Sequence, residues 1–166
     1  MRWAAYTRLM KKTLLALTAL TLSASSALAD NYVGGSIGSG LTVHYQSDLS
    51  AGSAIRYGLN LSALGFNFSQ LSVGGGVDYL NSFSAGSANL GGLNPYYGFG
   101  LDAGVALGGV TGVSVYPHVL GGLSYNVTAP LGVFAELNAG PNISIGTNTN
   151  VSFGYGARLG LNYRLP

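Results

Sequence analysis

Tyr97-Gly98-Phe99-Gly100-Leu101-Asp102-Ala103-Gly104-Val105-Ala106-Leu107 is the stretch that decides the fold. Every odd position in it is apolar, and every even position is glycine, alanine or a carboxylate. A period of two is the period of a β-strand, whose successive side chains leave opposite faces. The same alternation continues on both sides. It predicts strands at about 41–46, 53–63, 69–80, 96–107, 113–125, 131–139 and 151–165, with a shorter one near 32–37, and nothing supports a helix. Turn-rich sequence fills 46–52, 64–67, 81–95, 108–112, 126–130 and 140–150, and Gly38-Ser39-Gly40 splits the first pair. Pro117 has no N–H to give to a ladder, so a bulge is expected there.

Sorted by face, the strands fall into two populations. One face is apolar almost throughout, as in Leu41, Val43 and Tyr45, or Leu131, Val133, Ala135, Leu137 and Ala139. The other holds every ionisable strand residue, namely His44, Arg56, Asp78, Asp102, His118, Glu136, Arg158 and Arg164, set among glycine, serine and asparagine. In a soluble barrel the apolar face would turn inward, leaving an outer skin of glycine with a few charges and no lysine. In a membrane barrel the apolar face meets lipid, and the small and polar face lines a narrow interior filled by side chains. Charged residues make up 7% of the chain against 48% apolar residues and 27 glycines, where a soluble domain carries about 25% charged residues. Composition therefore selects the membrane orientation, and Tyr116 and Phe134 are the large residues that the lumen glycines accommodate.

The N-terminus has a different character. Arg2, Arg8, Lys11 and Lys12 lead into the apolar run Thr13 to Leu22, followed by small residues and Ala27-Leu28-Ala29 before Asp30. These are the three regions of a cleaved secretory signal peptide, assigned to residues 1–29. The run is too short for a transmembrane helix, which needs ~20 residues. Residues 30–166 remain as one domain, with three arginines against five carboxylates. That balance excludes a nucleic-acid-binding surface. There is no cysteine, hence no disulfide.

The whole of 30–166, most clearly Tyr96-Tyr97-Gly98-Phe99-Gly100 and Leu159-Gly160-Leu161-Asn162-Tyr163-Arg164-Leu165, resembles the small eight-stranded outer-membrane β-barrel proteins. The resemblance implies an all-β, antiparallel, up-and-down transmembrane barrel of eight strands. It implies insertion by the outer-membrane assembly machinery, contact with outer-membrane lipids, a monomeric state, and both termini in the periplasm. Tyr45, Tyr79, Tyr125 and Tyr163 close alternate strands on the apolar face, and Tyr97 opens the strand after Tyr79. All five fall at one interface, the place where a ring can be buried while its hydroxyl stays wet. With the C-terminus at that rim, they form the periplasmic girdle.

Counting residues from the girdle puts Asp102, His118, Glu136 and Arg158 at similar depth on four consecutive strands, which predicts one inward network. Arg56 and Asp78, each beside a girdle-level tyrosine, are expected to pair separately and lower down. No metal site is expected, because three or four ligands with suitable spacing are missing, and no cofactor is implied. The reading is a structural or envelope-integrity barrel with a plugged lumen rather than an enzyme. A lipid-modifying acyl hydrolase is the alternative, which would need a serine beside a histidine base at the lipid ester. A narrow porin-like channel is another, and adhesion a third, weakened by external loops of which 140–150 would be the longest.

Overall fold

A computed structural model describes residues 30–63, 71–83, 91–107, 112–146 and 148–166. The segment read as a signal peptide lies outside the described residues. Eight strands follow in order: β1 (Asn31–Ile37), β2 (Leu41–Ser50), β3 (Ser53–Ala63), β4 (Leu71–Ser82), β5 (Leu93–Leu107), β6 (Val113–Asn126), β7 (Leu131–Ile145) and β8 (Thr149–Arg164). Each pairs antiparallel with the next, and β1 pairs with β8 to close the barrel. Closure leaves no free sheet edge along the paired length, which a sheet in an apolar medium requires.

Side-chain burial is inverted relative to a water-soluble domain. Phe153 is 74% exposed and Leu59 72%, whereas Arg56 is 3% exposed and Glu136 2%. Water penalises the first pair and stabilises charge, so the outer surface fits a medium without water and the polar groups must satisfy one another inside. Even-numbered residues point inward on every strand from β2 to β8, as the strict two-residue alternation requires.

Four strands run further than their sequence pattern suggests. β2 continues to Ser50 and turns at Ala51-Gly52, β5 begins at Leu93, and the β7–β8 hairpin climbs to Ile145 and Thr149. The expected long loop 140–150 is therefore mostly ladder: Ile143 faces Val151 and Asn142 faces Ser152. Pro141 and the asparagines hid this alternation, yet Pro141 stands opposite Phe153 in register.

The bulge expected at Pro117 is absent. Between β6 and β7 the register runs Val115↔Ile143, then Val119↔Ala139, with no residue gained on either side. Counting inward from both pairs sets Pro117 across from Pro141. Neither proline carries an N–H, so the two face each other where no bond is owed, and no extra residue is needed. Gly140 completes the fit, because a Cβ there would run into the Pro117 carbonyl oxygen.

Glycine on the inner face makes room for large neighbours. At Gly160 a Cβ would collide with the Phe134 ring and lie 2.7 Å from the Gly35 carbonyl oxygen. Overpacking of this kind costs about 1–3 kcal/mol. Gly160→Val should lower the urea midpoint of the folded barrel in detergent, and Phe134→Ala in the same chain should recover only part of the loss, because the approach to the Gly35 carbonyl remains. Gly52→Ala, at a position with nothing within 4 Å, should leave the midpoint unchanged.

Candidate functional site

Two cross-strand pairs form the centre of the lumen. Arg56 on β3 stands opposite Asp78 on β4, and Glu136 on β7 stands opposite Arg158 on β8. In a closed ring of eight strands these hairpins are half a turn apart, so the pairs meet across the lumen. The Arg56 guanidinium donates to Asp78 Oδ2 through Nη2 at 2.7 Å and Nε at 3.0 Å, and reaches Glu136 Oε2 at 2.8 Å. Arg158 donates through Nε to Glu136 Oε1 and reaches Asp78 Oδ2 at 3.0 Å. Each arginine is thus shared by both carboxylates. The ordering matters: arginine precedes the acid in the first hairpin and follows it in the second, so each charge faces its opposite both within its own hairpin and straight across the lumen.

Two further side chains complete the layer. Tyr96 donates its hydroxyl to Glu136 Oε2 at 3.0 Å. His118 Nε2 lies 3.1 Å from Asp78 Oδ1, and its Nδ1 lies 3.1 Å from the Tyr116 carbonyl oxygen. Phe134 packs under Arg56, with the guanidinium carbon 5.6 Å from its ring centroid. Mutual hydrogen bonding among these charges is what allows so polar a cluster to sit at the centre of the lumen.

The structure brings together Arg56, Asp78, His118, Glu136 and Arg158. It does not separate Arg56 and Asp78 into a lower pair, and it leaves Asp102 out of the cluster. Asp102 makes no hydrogen bond or ion pair among the described residues; its register partners are Gly76 and Tyr116. The aromatic ruler fails by one pleat, because Tyr79 stands opposite Phe99 rather than Tyr97. Gly100, not Asp102, occupies the β5 position between Asp78 and His118. Tyr96 was missed by the sequence reading, although its even number on the strand of Gly98 and Gly100 carried the signal.

The other expected residues fall at the rim. Tyr45, Tyr97, Tyr125 and Tyr163 are exposed on the outer surface, and Tyr79, partly covered, packs against Phe99 at 5.4 Å. Tyr45 donates its hydroxyl to Asn31 at 2.9 Å, and Asn81 donates to the Tyr97 hydroxyl at 3.3 Å. Both described termini end at this same rim, where Arg164 pairs with Asp30 at 2.6 Å. His44 Nε2 is engaged by Asn162 Oδ1 at 2.6 Å. Among the described residues neither histidine meets a serine hydroxyl, and no group of three metal-ligating side chains is present.

A cavity lies on each side of the ion-pair layer. The one toward the girdle rim, about 120 Å³, is lined by Arg56, Leu80, Tyr96 and Phe134. The one toward the opposite rim, about 300 Å³, is lined by Asp102, Tyr116, Asn138, Asn142 and Arg158. The guanidiniums of Arg56 and Arg158 therefore form the partition between them. Below it, Ala54, Leu80, Tyr96 and Leu120 form a small apolar cluster.

Two solved structures share this architecture. The N-terminal β-barrel domain of Pseudomonas aeruginosa OprF aligns with 82% of this chain and 96% of its own, with a TM-score of 0.55 and 14% identity. Neisserial surface protein A aligns with 82% of this chain and 94% of its own, with a TM-score of 0.51 and 20% identity. The fold is that of the eight-stranded outer-membrane barrels. No family model and no curated protein sequence matches the chain, so the likeness is one of backbone fold.

Proposed function

We propose that the chain is an integral outer-membrane barrel with a polar, side-chain-filled lumen, acting as a closed structural element of the envelope. The observation that carries this reading is the ion-pair layer: three buried charges and the part-buried Arg158, joined by mutual hydrogen bonds, cross the lumen at its centre and separate the two cavities. A conducting channel would need that path to be open. An acyl hydrolase would need its base beside a serine at the lipid interface, whereas His118 is turned to Asp78 inside. The reading includes export with removal of residues 1–29, insertion by the assembly machinery, a monomeric state, and the girdle rim facing the periplasm.

Expressed in a Gram-negative host, the protein should fractionate with the outer membrane, begin at Asp30, and migrate faster on gels before heating than after it. In planar bilayers it should give no discrete conductance steps. Recovery of folded protein from the periplasm without detergent would overturn the membrane assignment, and reproducible steps would replace the closed barrel with a narrow pore.

A further inference from the structure

The cavity opposite the girdle contains two acceptor groups without a hydrogen-bond partner among the described residues. Asp102 points into it without an ion pair or hydrogen bond among the described residues, and Asn142 Oδ1 is buried there without a partner. Three of the donors lining it are turned to other acceptors. Tyr116 gives its hydroxyl to Asn138 Oδ1 at 2.9 Å, Thr42 gives its own to Asn60 Oδ1 at 2.7 Å, and the Arg158 guanidinium is held by Glu136 and Asp78. A buried acceptor without a donor is costly, and a carboxylate more so. An unpaired carboxylate and an unpaired acceptor in one cavity favour a ligand that brings a positive charge and a donor, and the one arginine lining it, Arg158, is already held by two carboxylates.

We propose that this vestibule binds a small hydroxylated primary amine. Its ammonium sits on the Asp102 carboxylate, and its hydroxyl donates to Asn142 Oδ1. The two residues are placed for it: Asp102 faces Tyr116 on β6, and Asn142 faces Ser152 on β8, so they flank Tyr116 from neighbouring strands. A volume of about 300 Å³ is at the small end of ligand pockets, which run ~300–1,000 Å³, and suits a headgroup-sized molecule.

The described wall leaves a lateral way in. β1 stops at Ile37 opposite Leu159, while β8 runs on to Thr149. The wall is lowest over the Gly38-Ser39-Gly40 turn, which lines the cavity together with Tyr155, 85% exposed on the outer surface. Over this notch a free amine enters from solvent, and the amine of a lipid headgroup enters with its acyl chains along the barrel beside Tyr155. The ligand chemistry is the same for both sources.

The test is titration of the isotope-labelled full barrel in nonionic detergent at neutral pH with ethanolammonium chloride, using glycerol as the uncharged comparator. Backbone amide shifts around Asp102 and Asn142 should saturate with ethanolammonium and not with glycerol. Asp102→Asn should weaken binding at least about tenfold, and Asn142→Asp, which adds a second carboxylate at the same size, should tighten it several-fold. Nanodiscs of phosphatidylethanolamine, compared with phosphatidylcholine, separate the sources: shifts at these residues in the former alone, before any free amine is added, identify the lipid. The heat-dependent gel shift checks that each variant is folded, and Asn142→Asp keeps the test decisive if Asp102→Asn does not fold. An equal response to glycerol, unchanged affinity in the folded variants, or no saturable shift with either source would overturn the proposal.

Discussion

Glu136→Gln should lower the unfolding free energy of the barrel in detergent by about 3–5 kcal/mol, the usual cost of breaking a buried ion pair from one side. Glu136 is 2% exposed and accepts from three side chains, Arg56, Arg158 and Tyr96. A glutamine keeps one acceptor oxygen but turns an NH2 group toward a guanidinium and removes one of the two charges that neutralise both arginines. Arg158→Leu should cost a comparable amount, because Glu136 and Asp78 then share only Arg56. The double variant should lose less than the sum of the two, since the second change removes a partner already left unpaired. The sole tryptophan is Trp3, so residues 30–166 have no indole reporter; urea titration followed by circular dichroism and by the heat-dependent gel shift measures the effect. Strict additivity with small single effects would show that these charges do not act as one layer.

Much of this layer was legible before any coordinates. The two-residue alternation puts all ionisable strand residues on one face, and a narrow lumen forces whatever shares that face into contact. Glu136 and Arg158 could be paired because Leu131 and Tyr163 start and end facing strands. What failed was the vertical scale. Barrel strands are sheared, so equal counts from tyrosines on different strands do not give equal depth; Tyr97 lies one pleat further out than Tyr79, which carried Asp102 out of the layer and into the vestibule. The contact of Arg56 with Glu136 joins hairpins on opposite walls, and sequence order is silent about which residues meet across a closed ring. The paired prolines at 117 and 141 show the same limit: each reads as a ladder defect alone, and only the register reveals that the two defects coincide and cancel.

Arg56→Ser combined with Arg158→Ser should turn a closed barrel into a conducting one. These two guanidiniums link the walls at this level, and each borders a cavity, Arg158 the larger and Arg56 the smaller. Shortening both joins the two spaces through the layer they occupied. Asp78 and Glu136 remain there without their cations, and carboxylates around a constriction select cations, so discrete steps with cation preference are expected in planar bilayers where the parent shows none. The same substitutions remove half of a buried ion network, so the folded fraction must first be isolated by its gel mobility. Arg164→Ser removes an arginine whose pair with Asp30 is exposed at the rim, and it should leave the barrel closed. If the folded double variant stays silent, closure resides instead in the apolar cluster of Ala54, Leu80, Tyr96 and Leu120 below the layer. Adding Leu80→Ser and Leu120→Ser to the same chain should then produce the steps, which would leave the charged layer as a stabilising brace rather than the seal.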